Sequence, residues 1–138
     1  DVLKGVAAAW LGFYLGGGIW LFLCPFAAVL GHCFPVFLKL KGGKGVATSA
    51  GVLIVLVPTA LGILLAVFLS VVLIWRKISL GSIIGAAAAP FVSYVLYPGQ
   101  PYLIILMTLL PILVIFRHKD NIKRLLDGTE PKIGEKKS

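Results

Sequence analysis

The chain has 138 residues, of which 59% are hydrophobic and 13% are charged, and its mean hydropathy is +1.04. A soluble domain is usually about 45–50% apolar and about 25% charged, so this composition excludes an ordinary soluble domain and a disordered chain. The net charge of +8 indicates orientation in a membrane and contact with anionic lipid. Nucleic acid is not expected as a partner, because no soluble basic domain is available to bind it. We therefore predict an integral membrane protein with a single domain.

The beginning of the chain does not read as a signal peptide. It opens on Asp1, its only methionine is Met107, and a basic region followed by a cleavage site is missing. We therefore expect the natural N-terminus to lie upstream of Asp1. Further along, Cys24 and Cys33 fall on one predicted helix, about 13 Å apart along its axis. That separation exceeds disulfide reach, so both are expected to be buried free thiols.

Basic residues divide the chain into three uncharged stretches of more than thirty residues each, 5–38, 45–75 and 78–116. One membrane span needs about 20 residues, so each stretch predicts a helical hairpin. Turn residues near the middle of each stretch give six predicted segments: 3–15, 19–37, 45–57, 59–75, 80–97 and 101–116. The third segment is short, about 20 Å, and is expected to be re-entrant or covered by its neighbours.

Three hairpins place every charged side chain on the same side of the membrane. The three opposite turns carry no charged residue. Because basic residues accumulate in cytoplasmic loops, the charged side and the C-terminus are predicted to be cytoplasmic. Any chemistry that depends on charge is therefore expected at that surface.

The first candidate site is the sequence Gly42-Gly43-Lys44-Gly45, which runs directly into the third segment. Glycines allow backbone N–H groups to converge on an anion, and a helix N-terminus and a lysine add positive charge. The loop therefore predicts a phosphate cradle, or else a flexible basic loop that only enforces topology. It is not a Walker A loop, which would need glycine at 38 and a hydroxyl residue at 45.

His32 precedes this loop, at the end of an apolar span. An ionisable residue in that position is a functional candidate. Three interpretations remain open for it: a general base, a hydrogen-bond partner of phosphate, or a side chain that satisfies a backbone carbonyl.

The second candidate site follows Arg76 and Lys77, where Ser79 and Ser82 share one helix face. Ser79 is well placed to be a helix N-cap. Ser82 lies one turn deeper and is harder to explain as a cap, which favours a role in a site.

The third candidate site lies in residues 117–126, where an apolar stripe predicts a basic amphipathic helix on anionic lipid. Arg117, Asn121 and Arg124 fall on another face of that helix, with His118 beside them. Gly128 is expected to end the helix. We predict a membrane-embedded domain over 1–128 and a flexible cytoplasmic tail over 129–138 that contributes no site.

Several chemistries are poorly supported by the sequence. The histidines and cysteines lack metal-site spacing, and no carboxylate lies inside a span, which counts against a proton-driven carrier. No His-x4-Asp motif and no nucleophile elbow occur. The remaining chemistry is a cationic, glycine-rich and hydroxyl-bearing pocket beside lipid. Such a pocket fits a phosphorylated substrate together with a lipid reactant or product.

These residues resemble the bacterial acyl-phosphate:glycerol-3-phosphate acyltransferases, the PlsY family. The resemblance extends to about Gly128 and rests on Gly31-His32, Pro35-Val36-Phe37, the block from Lys41 to Thr48, Ser79-Leu80, Ser82, Arg117-His118, Asn121-Ile122 and Arg124-Leu125-Leu126. The block from Gly31 to Thr48 is very specific, whereas the two serines alone are a weak signal.

The resemblance implies an all-α, polytopic integral membrane helical bundle of seven helices in the bacterial plasma membrane, with about six segments in this chain. It implies an enzyme that transfers a fatty acyl group from acyl phosphate to the 1-hydroxyl of glycerol 3-phosphate, giving lysophosphatidic acid and phosphate for phospholipid synthesis. The expected partners are these two substrates and the lipid bilayer. No cofactor, metal, nucleotide or acyl-CoA is implied.

The resemblance also implies roles for individual residues. His32, Lys44 and Ser79 are the catalytic candidates, with His32 as the base unless a substrate phosphate oxygen accepts the proton. The remaining candidates bind substrate or phosphate: Lys41, Gly42, Gly43, Gly45, Thr48, Ser82, His118, Asn121 and Arg124.

One family feature is missing from this sequence. Members carry a Gly/Asn-rich cytoplasmic motif before the position of Asp1, which indicates that the chain is truncated at its N-terminus. The competing class is a phosphate or organophosphate transporter, or a non-catalytic membrane subunit. Transporters often show repeats and broken helices at mid-bilayer, and neither is evident here.

Overall fold

A computed structural model describes residues 1–35 and 42–135. These residues form seven helices: α1 (Val2–Tyr14), α2 (Trp20–Cys33), α3 (Val46–Leu56), α4 (Pro58–Trp75), α5 (Ile78–Leu96), α6 (Pro101–Arg117) and α7 (Lys119–Asp127). Each of the three uncharged stretches folds into two helices, and α7 is the predicted amphipathic helix. The all-α membrane bundle predicted from the sequence is confirmed.

The helix breaks follow the predicted turn residues. Between α1 and α2, Gly16, Gly17 and Gly18 all have positive φ angles, which side chains with a Cβ rarely adopt. The other two hairpins break before Pro58 and Pro101, which begin α4 and α6. Proline is tolerated at the first helical position because its missing N–H needs no partner there.

The helices differ in whether they can cross a membrane. Of those in the described residues, α4 and α5 are long and apolar enough, and the number becomes three if α6 and α7, bent by 60° at their junction, form one span. The helices α1, α2 and α3 are apolar but shorter. The 11 residues of α3 extend only about 17 Å, less than the hydrocarbon thickness of about 30 Å. The prediction of a short third segment is confirmed.

The core consists of two apolar clusters that share α3 and α6. One cluster joins α3, α4, α5 and α6 and includes Ala60, Ala89 and Met107. The other joins α2, α3 and α6 and includes Val29 and Leu106. Because α3 and α6 contribute to both clusters, they hold the two halves of the bundle together.

Helices α1 and α3 cross through two glycines. A Cβ at Gly5 would overlap the carbonyl oxygen of Thr48, and a Cβ at Gly51 would overlap that of Val2. Small residues permit such close approach of helices in lipid. Thr48 is fully buried at this crossing, and its hydroxyl has no hydrogen-bond partner in the described residues.

Both cysteines are free thiols on α2, as predicted. Cys33 is buried against Val29 in the second cluster, but Cys24 is partly exposed. The prediction of burial is therefore wrong for Cys24, because only one face of α2 packs against its neighbours.

The crossing of α1 and α3 generates a stability prediction. Gly5→Ala should destabilise the protein by about 1–3 kcal/mol or more, because overpacking forces the two backbones apart. Gly62→Ala is the matched control, since Gly62 is exposed on α4 and a Cβ there meets no atom within 4 Å. Thermal unfolding in detergent measures both. A Gly5→Ala midpoint equal to that of Gly62→Ala would contradict the packing described.

Candidate active site

A polar pocket of about 840 Å³ lies where α2 ends, α3 and α5 begin, and α6 meets α7. The segment after α7 completes its wall. Nine of the predicted site residues line this polar pocket: His32, Gly43, Lys44, Gly45, Ser79, Ser82, His118, Asn121 and Arg124. The fold therefore brings all three candidate motifs to one place.

The glycine loop, residues 42–45, packs tightly against the last turn of α2. A Cβ at Gly42 would overlap the Cys33 carbonyl, and a Cβ at Gly43 would overlap Nε2 of His32. Gly45 has a φ of +87° and caps the start of α3. The Gly43 N–H donates to the His32 carbonyl at 3.3 Å, so it is engaged within the protein here, and the predicted anion-binding role of the loop N–H groups stays a prediction. Here glycine is required by close packing and backbone conformation.

Arg117 holds the glycine loop from the other side. Its guanidinium donates to the carbonyls of Gly42 and Gly43, each at 3.3 Å, and stacks over the Phe34 ring at 5.0 Å. The sequence placed Arg117 near the site but assigned it no role. Carbonyl acceptors and an aromatic face are partners that a planar guanidinium satisfies well.

Lys44 and Asn121 join the glycine loop to α7. The Lys44 ammonium donates to Asn121 Oδ1, and Asn121 is 6% exposed. Next to it, His118 is 3% exposed, and its Nδ1 lies 2.7 Å from the Val114 carbonyl oxygen. A carbonyl only accepts hydrogen bonds, so Nδ1 carries the proton and Nε2 is left as the nitrogen that can accept one.

Glu130 is the residue that the sequence missed. Its Oε1 accepts hydrogen bonds from Ser79 at 2.7 Å and Asn121 at 2.9 Å, and its Oε2 accepts from Arg124 at 2.6 Å. The prediction that the tail contributes no site is wrong for Glu130, because Gly128, with a φ of +75°, ends α7 and the chain turns back toward Arg124. The one sequence feature that pointed to Glu130 is its position two residues after Gly128, the glycine that ends α7.

The continuation of the tail is also held. The Ile133 N–H donates to the Arg76 carbonyl at 2.7 Å, and the Arg76 guanidinium donates to the Ile133 carbonyl at 2.9 Å. These two bonds lie beside the start of α5. They keep Glu130 against the polar pocket.

The environment of Glu130 favours its ionised form. Burial raises the pKa of the carboxyl, but hydrogen bonds from Ser79, Asn121 and Arg124, together with the charge of Arg124, outweigh it and lower the pKa from 4.5 to about 2. The side chain is only 7% exposed, so water does little to weaken these bonds. Glu130 therefore carries a full negative charge at neutral pH.

Ser79 does not act as the helix cap that its position allowed. The N-cap of α5 is Lys77, which makes no side-chain cap bond, and Ser79 is the second residue of the helix. Its hydroxyl bonds Glu130 instead. The capping interpretation is therefore wrong, because a buried carboxylate is a stronger partner than a backbone N–H.

His32 lines the polar pocket with its side chain 13% exposed and its Nε2 3.7 Å from Asp1 Oδ2. Asp1 lines the same wall and was not predicted as a site residue. The distance exceeds that of a hydrogen bond, so Asp1 contributes charge near the imidazole rather than a fixed partner.

Two predicted site residues within the described ranges do not line the polar pocket. Gly42 packs against Cys33, and Thr48 is buried between α1 and α3. Both residues pack against neighbouring helices in this geometry, and their direct contact with substrate stays a prediction. Lys41 lies outside the described residues.

An apolar cavity of about 170 Å³ adjoins the polar pocket between α3, α4, α5 and α6. Three residues line both spaces, namely Val46, Phe68 and Ser82. No group of three or more histidine, cysteine or acidic side chains suited to a metal occurs within 1–35 and 42–135. The arrangement can therefore bind a charged group in one space and a continuous apolar chain in the other.

The chain is similar to known glycerol-3-phosphate acyltransferases. A family model described as glycerol-3-phosphate acyltransferase matches residues 1–128. Glycerol-3-phosphate acyltransferase from Syntrophomonas wolfei is 46% identical over 137 residues, covering 99% of this chain and 69% of the relative. Glycerol-3-phosphate acyltransferase 2 from Moorella thermoacetica is 48% identical over 137 residues, covering 99% and 70%.

Two solved structures are similar to this chain over nearly its whole length. Both are crystal structures of PlsY, an integral membrane glycerol 3-phosphate acyltransferase, one in the glycerol 3-phosphate form and one in the lysophosphatidic acid form. Each is 36% identical with a TM-score of 0.89, and each match covers 97% of this chain and 68% or 69% of the other.

The pKa of Glu130 generates a prediction on pH and stability. Because folding lowers this pKa from 4.5 to about 2, the ionised carboxylate stabilises the fold above pH 4.5, and that stabilisation is lost as pH falls toward 2. Glu130→Gln should therefore unfold at a lower temperature than wild type at pH 7, and the gap should narrow below pH 4.5. Asp127→Asn, outside the polar pocket, controls for net charge. A gap that does not change with pH would contradict the assignment.

Proposed function

Because this chain belongs to the glycerol-3-phosphate acyltransferase family and is a membrane acyltransferase, we propose that it transfers a fatty acyl group from acyl phosphate to the 1-hydroxyl of glycerol 3-phosphate. The products are lysophosphatidic acid and inorganic phosphate. One observation carries the proposal: a polar pocket that holds Lys44 and Arg124 and an apolar cavity meet at residues that line both. This junction suits a reaction that joins a phosphorylated polyol to a fatty chain.

The polar pocket supplies partners for two phosphates. Lys44 and Arg124 provide positive charge, and Ser82 and Asn121 provide hydrogen-bond donors. Ser79 can donate when it turns from Glu130, and His118 Nε2 can accept a hydrogen bond from a substrate hydroxyl. Glu130 bonds both Asn121 and Arg124, so it orients the groups that bind phosphate. Gly43 and Gly45 act indirectly, by allowing the glycine loop to bring Lys44 beside Asn121.

The reaction needs little covalent assistance from the protein. Acyl phosphate is a mixed anhydride, so its phosphate is already a good leaving group. The 1-hydroxyl oxygen forms a bond to the acyl carbon, and the bond from that carbon to the phosphate oxygen breaks with its electrons. The protein contributes by bringing the hydroxyl to the carbonyl and stabilising the negative charge that develops. Lys44 and Ser79 are the residues that we assign to this stabilisation, for which the Ser79 hydroxyl turns from Glu130 toward the substrate, since it has a single proton to donate.

The hydroxyl proton has two possible acceptors in this scheme. His32 lines the polar pocket and serves as the general base, or a phosphate oxygen of the substrate accepts the proton directly. In the first route, protonated His32 would return its proton to the released phosphate. Both routes therefore end with the hydroxyl proton on the released phosphate and with His32 neutral.

We place the enzyme in the bacterial plasma membrane with the polar pocket on the cytoplasmic side. The described basic residues of the glycine loop, the α4–α5 junction and the α6–α7 junction gather at the pocket end of the bundle. The positive-inside rule assigns such an end to the cytoplasm. The same one-ended distribution of polar residues disfavours a transporter, which needs a polar path from both faces.

The donor is tested with the purified full-length protein in detergent. We expect lysophosphatidic acid and phosphate from glycerol 3-phosphate with palmitoyl phosphate, and no product with palmitoyl-CoA. Product from palmitoyl-CoA alone would overturn the donor assignment. If neither donor reacts, flux of glycerol 3-phosphate or phosphate into liposomes containing the protein would indicate the transporter class.

Lys44→Ala tests the charge in the polar pocket. We expect a loss of about 100-fold or more in kcat, because contacts to transition-state charge have effects of that size. Lys123→Ala is the matched control: it removes the same charge from an exposed position of α7 that does not line the pocket. Equal thermal unfolding of both variants excludes misfolding. More than about a tenth of wild-type activity in Lys44→Ala would refute its role.

A further inference from the structure

The apolar cavity extends inward from the polar pocket along α5. Ser82 lies at the junction of the two spaces, and the cavity wall continues through Gly85, Ala86 and Ala89. At 1.5 Å per residue, Gly85 is about 4.5 Å and Ala89 about 10 Å deeper than Ser82. Gly85 therefore stands between the mouth of the cavity and its inner part.

Glycine at position 85 is not explained by the fold. It is a buried residue in the middle of α5, where glycine is less favourable than alanine by roughly 0.5–1 kcal/mol. Its φ angle is not positive. A Cβ built there meets only the Leu64 carbonyl oxygen, at 3.8 Å, which is ordinary van der Waals contact. Neither backbone conformation nor helix packing requires a glycine here.

Gly81, one turn earlier on the same wall, shows the opposite case. A Cβ there would lie 2.7 Å from Val72 Cγ2 and 2.9 Å from Phe68 Cδ2. Glycine at 81 is therefore required for α4 and α5 to approach. The difference between the two positions is that a side chain at 85 has space, and the space into which it can extend is the apolar cavity.

We propose that Gly85 determines the length of the acyl chain that the enzyme accepts, by leaving the inner part of the apolar cavity open. The inference rests on the proposed function, because that function makes the acyl chain the occupant. Three observations favour this occupant. The cavity adjoins the polar pocket through shared lining residues, and its lining is almost entirely apolar. It is also bordered by α4 and α5, which are long and apolar enough to span a membrane.

The physical consequence of a larger side chain follows from the size of the cavity. An isobutyl group at position 85 would occupy part of a space of only about 170 Å³. The distal methylenes of a long chain would then be displaced into the surrounding lipid or detergent and lose their packing against the cavity wall, at a cost below the about fourfold in affinity that exposure of one methylene to water carries. A butanoyl chain, which ends within the about 4.5 Å between Ser82 and Gly85, would keep its contacts.

The experiment compares wild type, Gly85→Leu, Gly85→Ala and the control Gly62→Leu as full-length proteins. The quantity measured is kcat/KM for palmitoyl phosphate divided by kcat/KM for butanoyl phosphate. We expect this ratio to fall about 10-fold or more in Gly85→Leu, to fall less in Gly85→Ala, and to stay unchanged in Gly62→Leu, which alters an exposed α4 position with open space around it. A ratio that stays within about twofold of wild type in both Gly85 variants would overturn the inference.

A second measurement separates this inference from the proposed reaction. In lipid nanodiscs, stabilisation against thermal unfolding is measured with 1-palmitoyl- and 1-butanoyl-glycerol 3-phosphate, which requires no turnover. Wild type should be stabilised more by the palmitoyl compound, and Gly85→Leu should lose that preference. Its loss in a protein that turns over no acyl phosphate would support the inference and refute the reaction. A preference retained in Gly85→Leu would refute the inference alone. Gly85→Ala keeps the test decisive if Gly85→Leu does not fold.

Discussion

Glu130 accepts hydrogen bonds from Ser79, Asn121 and Arg124, and Asn121 accepts one from Lys44. A single carboxylate thus connects α5, α7 and the glycine loop. Positive groups gathered at a membrane edge repel one another, and water is only partly available to them. An ionised, nearly buried carboxylate relieves the repulsion between Lys44 and Arg124 and orients both side chains through its hydrogen bonds. The geometry of the proposed phosphate site therefore depends on an acidic residue.

Glycine solves three different problems in this chain. At Gly5, Gly51 and Gly81 the absence of a Cβ allows helices to approach. At Gly45 and Gly128 it permits a left-handed conformation, which begins α3 and turns the tail back toward the pocket. At Gly85 neither reason applies, and the missing side chain leaves space inside the cavity. Identical residues in a membrane sequence therefore have to be distinguished by what surrounds them.

The division between the polar pocket and the apolar cavity matches the division within the proposed reactants. Glycerol 3-phosphate and the phosphate of the proposed donor need charges and hydrogen bonds, whereas a fatty chain needs apolar contact. Ser82 stands at the boundary with Val46 and Phe68. In the proposed reaction, a site at the end of the bundle lets a water-soluble substrate enter from one side while the acyl chain stays at the depth of the lipid.

The amino-acid sequence by itself determined the membrane class, the three helical hairpins, the end of the bundle that carries the basic residues, and nine of the residues that line the polar pocket. These features depend on composition, on hydrophobic stretches and on turn residues, all of which act locally along the chain. The family motifs added His32, Lys44 and Asn121 to one site, although local patterns alone could not show that they meet.

Only the tertiary structure decided which side chains face the pocket. Ser79 bonds a carboxylate 51 positions away, and Lys44 bonds an amide 77 positions away. Thr48, which belongs to the most specific motif, is turned toward α1 instead. Glu130 joins the site because Gly128 reverses the chain, and Arg117 joins it by holding loop carbonyls. The direction of each side chain depends on how helices from distant parts of the chain pack, and that packing leaves no local signal.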